Sequence, residues 1–224
     1  MSGLLPQLLL IGAEGHARAV VDVVEAEGRY QIAGLIDSFQ PAGSERLGYR
    51  ILGAEHDVPA LCEQYGIAAL FVAIGDNFQR LAMIERLQAA VPALPLATCV
   101  HPQAWVSPTA TLGAGSVVMP GAILVGGCRV GVGCILNTAS SLDHDSVMEE
   151  GASLAPGVHT GGGVHLGRRC FVGVGASVVQ GIRVGQDSLI GAGSVVLSEI
   201  PPGWTAFGTP CRVVAKREID APCF

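Results

Sequence analysis

The sequence predicts a chain of two parts, an α/β domain followed by a triangular parallel β-helix. Three observations carry that expectation. Between residues 105 and 200 an aliphatic residue or methionine returns at a period of six, with one exception in sixteen, residues 8–37 alternate strand, glycine turn, helix and strand, and a Pro-Pro break at 201–202 ends the repeat. A period of six suits neither a 3.6-residue helix nor the two-residue alternation of a plain strand.

Cut into sixes from Trp105, the second half reads WVSPTA, TLGAGS, VVMPGA, ILVGGC and onward without a slip of register. Second positions run from Val106 to Val196, and fifteen of the sixteen are aliphatic or Met; Thr160 is the exception. If each hexad supplies one short strand and one corner, three hexads, 18 residues, return the chain one strand spacing higher, about 4.8 Å. Second-position side chains then stack inward, and the small sixth positions, mostly Ala, Ser or Cys, fill beside them. Glycine relieves the corners, which is why 19 of the 31 glycines fall in this stretch. Only 10 of its 96 residues are charged, so the faces of the prism invite packing.

The first half opens with a βαβ unit: a strand over 8–11, a turn Gly12-x-x-Gly15, a helix from about His16 to Glu27, and a strand ending near Asp37. A helix N-terminus behind such a turn suits a phosphate-bearing ligand, although Glu14 is an unhelpful charge there. Asp37 stands where an acid can reach a sugar hydroxyl or cap its own turn, and the spacing leaves both readings open. The stretch ALFVAIGDNFQRLAMIERLQ gives another strand, a loop at Gly75, Asp76 and Asn77, and a helix carrying Arg80. Residues 41–59 read as turns and a short hairpin. The expected organisation is a Rossmann-like domain over 1–100, a β-helix over 101–200 and a tail over 201–224 that covers the open end of the coil.

Composition removes several classes of function. With 13 basic against 19 acidic residues and a formal charge of −6, the chain lacks the basic patch that nucleic-acid binding needs. No run approaches the roughly 18 apolar residues of a membrane span, and LLPQLLLIG has no positive flank, so the expected location is cytoplasmic. Seven cysteines without a CxxC pair argue against both a disulfide framework and a cysteine-held zinc.

One segment departs from the small, uncharged character of the repeat. SLDHDSVMEEGASLAPGVHTGG, residues 141–162, places Asp143, His144 and Asp145 together at hexad positions three to five, the outward turn end of a coil face. Flanking carboxylates can hold an imidazole in one tautomer and stabilise its cation, which suits a general base; a solvated surface histidine is the plainer alternative. Eighteen residues on, one storey above His144, stands Gly162. Its bare amide can approach a carbonyl and stabilise an oxyanion, though a tight corner would also explain the glycine.

Taken together, IGAEGHAR, GLID, AIGDN with Arg80, the hexads and NTASSLDHD resemble the hexapeptide-repeat nucleotide-sugar acyltransferases, bacterial amino-sugar N-acetyltransferases that are also sialic acid O-acetyltransferase-like. The resemblance implies a left-handed β-helix, a homotrimer with sites between neighbouring prisms, acetyl-CoA as co-substrate and no metal. It implies His144 as base, Asp145 as its orienting acid, Asn137 as the Asn of the NT pair, and the Gly162 amide at the oxyanion. Gly12, Gly15, His16, Asp37 and Asn77 would meet a nucleotide-linked amino sugar; Ser153, Gly162, Gly173, Ala176, Pro210 and Arg212 would meet acetyl-CoA. One departure stands out: Ser153 replaces a histidine of the family that contacts coenzyme A or the acceptor, with His159 nearby as a substitute. Other readings are O-acetylation of a free sugar or sialic acid, a non-catalytic structural prism, and a zinc site from His144, His159 and His165. The last is disfavoured because separations of 15 and 6 put His165 on a different face from His159.

Overall fold

The structure, a computed structural model, describes residues 4–222; the last two residues of the expected tail, Cys223 among them, lie outside the described residues. In the first part, β1 (Gln7–Ile11), β2 (Gln31–Ile36), β3 (Glu45–Arg46), β4 (Tyr49–Gly53) and β5 (Ile67–Val72) form a sheet of order β3-β4-β2-β1-β5. All pairs are parallel except the β3–β4 hairpin. Chain order reverses between β1 and β5, and the crevice at the carboxyl ends of these strands is where such sheets bind ligands.

Helix α1 (Gly15–Glu27) buries Ala17, Val20, Val21, Val23 and Val24 on one face, and stops at Gly28, whose left-handed backbone lets its N–H reach the Val24 carbonyl. Helix α3 (Asn77–Ala90) begins at Asp76, whose carboxylate accepts from the Gln79 amide at 3.0 Å. Between them lies α2 (Val58–Tyr65), where the sequence reading had only turns up to residue 59. Pro59 opens that helix and left-handed Gly66 closes it.

The second part is a three-sided parallel coil whose strands pair at the expected interval of 18: Ile123 with Ser141, Arg129 with Val147, Ile135 with Ser153. The first face carries Trp105–Val106, Ile123–Leu124, Ser141–Leu142, His159–Thr160, Ser177–Val178 and Val195–Val196; the second begins at Thr111–Leu112, and the third at Cys99–Val100, one hexad before Trp105. Second-position residues fill the interior, with Leu124, Leu136, Leu142, Leu154, Leu166 and Ile190 fully buried. Each such side chain stabilises the coil by roughly 1.5–3 kcal/mol. Cys128, Cys134 and Cys170 are core filler, and burial pushes the Cys134 thiol up to about 12. Trp204–Gly208 and Cys211–Lys216 extend the third face beyond its last hexad.

The third face is glued to the α/β part. Cys99, Val117, Met119 and Ile135 share a core with Leu8, Val20 and Phe71. Helix α3 runs along the corner between the second and third faces, where Gly133 and Gly151 stand 18 residues apart. A Cβ at Gly133 would lie 2.6 Å from Ile84 Cδ1, and one at Gly151 2.6 Å from Leu81, so the helix packs on bare backbone. Where the helix no longer covers the column, Arg169 and Asp187 take the same left-handed corner positions, and the guanidinium donates twice to the carboxylate, at 2.6 and 2.9 Å. Among the described residues no helix is long and apolar enough to cross a membrane.

Candidate active site

His144 lies on the corner between the first and second faces, with its side chain about half exposed. Its Nδ1 stands 3.0 Å from Asp145 Oδ2, and its backbone N–H donates to Asp143 Oδ1 at 2.7 Å. The hydrogen bond to Asp145 is the largest cause, desolvation opposes it, and the Asp143 and Asp145 charges add to it, so the His144 pKa rises above its ordinary value. Asp145 reaches the ring from a left-handed backbone position, φ 57°, which costs a non-glycine residue on the order of 1 kcal/mol or more.

Glycines border this dyad above and below. A side chain at Gly162 would run into the His144 ring, and one at Gly127 into the Asp145 carboxylate. Gly163 donates to the His144 carbonyl at 2.7 Å, and Asp145 donates to Gly126 O at 3.1 Å, so the storeys are pinned in height. The structure thus brings His144, Asp145 and Gly162 to one outward corner.

Thr160 is a further member that the sequence reading passed over. It is the one residue of the inward column that is neither aliphatic nor Met, and its Oγ1 accepts from the Asp143 amide at 3.1 Å, fixing the start of the Asp-His-Asp turn from above. The interruption of the column was the signal.

Seven of the remaining expected residues line two cavities on the other side of the prism: Gly12, Gly15, His16, Asp37, Asn137, Ser153 and Gly173. A cleft of about 390 Å³ at the carboxyl ends of β1, β2 and β5 is lined by Gly12, Gly15, His16, Asp37 and Gly75. Gly12 has φ 115°, and a Cβ there would lie 2.9 Å from the Ala73 carbonyl, so the turn requires glycine. The α1 N-cap, Glu14, makes no side-chain cap bond, leaving the first-turn amides open to the cleft. Asp37 both lines the cleft and caps its turn, accepting from Phe39 N at 2.8 Å. A groove of about 540 Å³ runs between α1 and the third face, lined by Gly15, His16, Asn137, Ser153, Ala155 and Gly173.

His16 lines both cavities. Its Nε2 is buried and has no hydrogen-bond partner among the described residues, and burial first, then the Arg80 charge, pulls its pKa down to about 4. A neutral ring with one unsatisfied nitrogen is fitted to exchange a hydrogen bond with a ligand.

Two expectations, Asn77 and Ala176, are corrected by these positions. Asn77 does not line the cleft: it is 1% exposed, and its amide donates to the carbonyls of Arg169 and Cys170, joining α3 to the prism. Ala176 presents nothing to coenzyme A, because a sixth-position side chain points into the core, and it is fully buried. Ser153 sits on the groove wall, but its hydroxyl is engaged, donating to Asn77 Oδ1 at 2.7 Å and accepting from Arg80 at 2.9 Å.

Asn137 lies at the corner between the third and first faces, with its Oδ1 accepting from the Thr138 amide at 2.8 Å. His144 and Gly162 therefore occupy one edge of the first face, and Asn137 and the groove the other. Pro210 and Arg212 are exposed at the end of the tail hairpin, beyond the groove residues Leu189–Ala192. His159 donates to or accepts from Ser141 at 2.8 Å on the first face, whereas His165 bonds Glu149 at 2.6 Å on the second.

Comparison with known proteins decides what this arrangement belongs to. The PglD N-terminal domain model matches residues 7–87, and the hexapeptide repeat of succinyl-transferase matches 163–198. The acetyltransferase domain of PglB from Neisseria gonorrhoeae, solved with acetyl coenzyme A, is 33% identical over 94% of this chain and 100% of that one, with a TM-score of 0.87. PerB from Caulobacter crescentus, a GDP-perosamine N-acetyltransferase solved with CoA and GDP-perosamine, is 34% identical over 96% and 99% of the two chains, with a TM-score of 0.88. The chain belongs to the hexapeptide-repeat sugar N-acetyltransferase family. Its coil is accordingly a left-handed parallel β-helix behind a Rossmann-like domain. WeeI from Acinetobacter baumannii, at 22% identity and a TM-score of 0.80, shares the fold. Serine acetyltransferase from Escherichia coli K12 is 43% identical over 51 residues, which is 23% of this chain and only 19% of that protein.

Proposed function

We propose that this family member moves an acetyl group from acetyl-CoA to the amino group of a nucleotide-linked amino sugar in bacterial glycan biosynthesis, as a cytoplasmic homotrimer. Residues 1–100 would hold the nucleotide sugar, 101–200 the acyl donor, and 201–224 would cap the coil. The observation that carries the reading is the His144–Asp145 dyad set against the bare Gly162 turn. Support comes from the relatives, which hold acetyl coenzyme A in one case and CoA with GDP-perosamine in the other.

The sugar enters the cleft with its phosphates toward the α1 N-terminus, and its amine passes His16 at the wall shared with the groove. Acetyl-CoA lies along the third face, its adenine end toward Pro210 and Arg212. The neutral amine attacks the thioester carbonyl while His144 Nε2 takes its proton, Nδ1–H donates to Asp145, and the Gly162 amide faces the oxyanion. The C–S bond then breaks, and the proton held by His144 returns to the leaving thiolate.

Within one chain the dyad and the groove flank opposite edges of the first face. That face carries no charged side chain at its outward strand positions, which are Trp105, Ile123, Ser141, His159, Ser177 and Val195. A second copy packed there sets its groove beside His144, and the three-fold closure repeats the site three times.

Thiol release from acetyl-CoA, measured with GDP-, UDP- and dTDP-linked 4-amino sugars against free amino sugars and sialic acid, tests the assignment. Turnover with a nucleotide-linked sugar and none with the free sugars is expected. Turnover with sialic acid alone would replace N-acetylation of a nucleotide sugar by O-acetylation.

A further inference from the structure

Arg80 is the largest fully buried side chain among the described residues, 1% exposed, and it stands between the two cavities rather than in either. From α3 its guanidinium donates in three directions. Nη1 reaches the carbonyls of Ile74 at 3.0 Å and Gly75 at 2.7 Å, in the loop that forms part of both cavity walls. Nε reaches Gly133 O at 2.7 Å, and Nη2 reaches Gly151 O at 2.9 Å, both on the prism corner under α3. Nη2 also donates to Ser153 Oγ at 2.9 Å, on the groove wall, and to Asn77 Oδ1 at 2.8 Å.

Burying a guanidinium costs several kcal/mol unless its donors are satisfied, and α3 already packs on the prism through Leu81 and Ile84 against Gly151 and Gly133 and through the Asn77 amide. What this cation adds is a fixed geometry. A planar fork of donors sets the Gly75 loop, the α3 N-terminus and two storeys of the coil at defined distances from one another, which a flexible point charge cannot reproduce. The loop it holds ends the cleft, and the hydroxyl it holds lines the groove.

We propose that Arg80 is a positioning residue for acyl transfer, fixing the Gly75 loop against the Gly151–Ser153 storey and so the gap between the bound amino sugar and the bound thioester. The proposal rests on the reading of the two cavities as the sugar and coenzyme sites. An error of about 1 Å in that gap lowers transfer by on the order of 10²-fold while each ligand still finds its own walls.

The test is Arg80→Lys, with Arg80→Ala as the second variant. For Arg80→Lys the expected result is a fall in kcat per folded molecule of about 30-fold or more, with separately measured Kd values for CoA and nucleotide sugar within about threefold of wild type. Tens of millimolar guanidinium should restore part of the turnover of Arg80→Ala and none to the wild type. A loss of activity that only follows the loss of folded protein, or an unchanged kcat, overturns the proposal. Hydrogen exchange supplies a readout that does not use turnover: Arg80→Lys should exchange faster at 74–77 and at 151–153 together, and unchanged exchange at these segments also overturns it. If the wild type itself shows no turnover, the acetyltransferase reading has failed, and exchange alone decides whether Arg80 couples the two walls.

Discussion

The first and second faces of the prism have the same backbone, the same strand spacing and the same buried column behind them, yet their outward residues differ in kind. The first presents Trp105, Ile123, Ser141, His159, Ser177 and Val195, with no charge; the second presents Thr111, Arg129, Val147, His165 and Arg183. Trp105 and Ile123 are 53% and 42% exposed on the first, while on the second a His165–Glu149 bond and the Arg183 cation meet solvent. Regular coil geometry supplies identical platforms, and only the outward residues set apart the face proposed as the interface. The uncharged face is also the one whose two edges carry the two halves of the proposed site, so packing and catalysis are assigned to the same surface.

The largest contrast should come from histidines on the two faces. His144→Ala is expected to lower kcat by about 10²–10⁴-fold with assembly intact, the usual worth of a general base, whereas His165→Ala should change kcat less than about twofold. Steady-state kinetics beside light scattering reads both. Next, Ser177→Glu on the first face places like charges around the three-fold axis and should shift the chain toward monomers, with activity lost in proportion. Val147→Glu on the second face should leave the mass in solution unchanged by sedimentation.

A smaller effect refines the site itself. Because Asp145 holds the His144 pKa above its ordinary value, turnover should rise with pH through a point above about 6.5 as the ring loses its proton. Asp145→Asn replaces the carboxylate by a neutral amide, lowers that pKa, and should move the acid limb of the pH–kcat profile to lower pH while reducing the plateau. The smallest effect concerns stability. His16 is buried neutral with a pKa of about 4 against 6.5 in the unfolded chain, so between those values the unfolded chain binds the extra proton. Stability should therefore fall as pH drops from about 6.5 toward 4, by up to roughly 3 kcal/mol at 1.36 kcal/mol per unit. His16→Gln should flatten that acid-side slope in thermal melts.

Much of this was legible in the sequence, for a physical reason. A coil that repeats every six residues leaves each side chain no choice of direction, so the inward column and the place of Gly162 above His144 follow from counting. The same counting would have put Ala176 inward, in the core where it lies; it did mark Thr160 as the interruption of the column, but not that its hydroxyl meets the Asp143 amide. Asn77 was less legible. In AIGDN it resembles a loop residue facing ligand, and nothing local reveals that its amide meets carbonyls 92 and 93 residues away. Helix α2 escaped notice because its eight residues bury only Val58, Leu61 and Cys62, too few to mark a helical period. The fork of Arg80 was hidden for the same reason as Asn77, since all its prism partners lie at least 53 residues distant.

The central claim is that His144 of one copy works on ligands held by the groove of the next, and mixing two disabled proteins tests it most directly. His144→Ala lacks the base, and Asn137→Trp, at the mouth of the groove, lacks room for the donor. Unfolded together in equal amounts and reassembled, they should recover about a quarter of wild-type turnover, because a quarter of the interfaces join an intact His144 to an intact groove. Recovery no greater than the sum of the two separate proteins would contradict the account and put the whole site within a single chain.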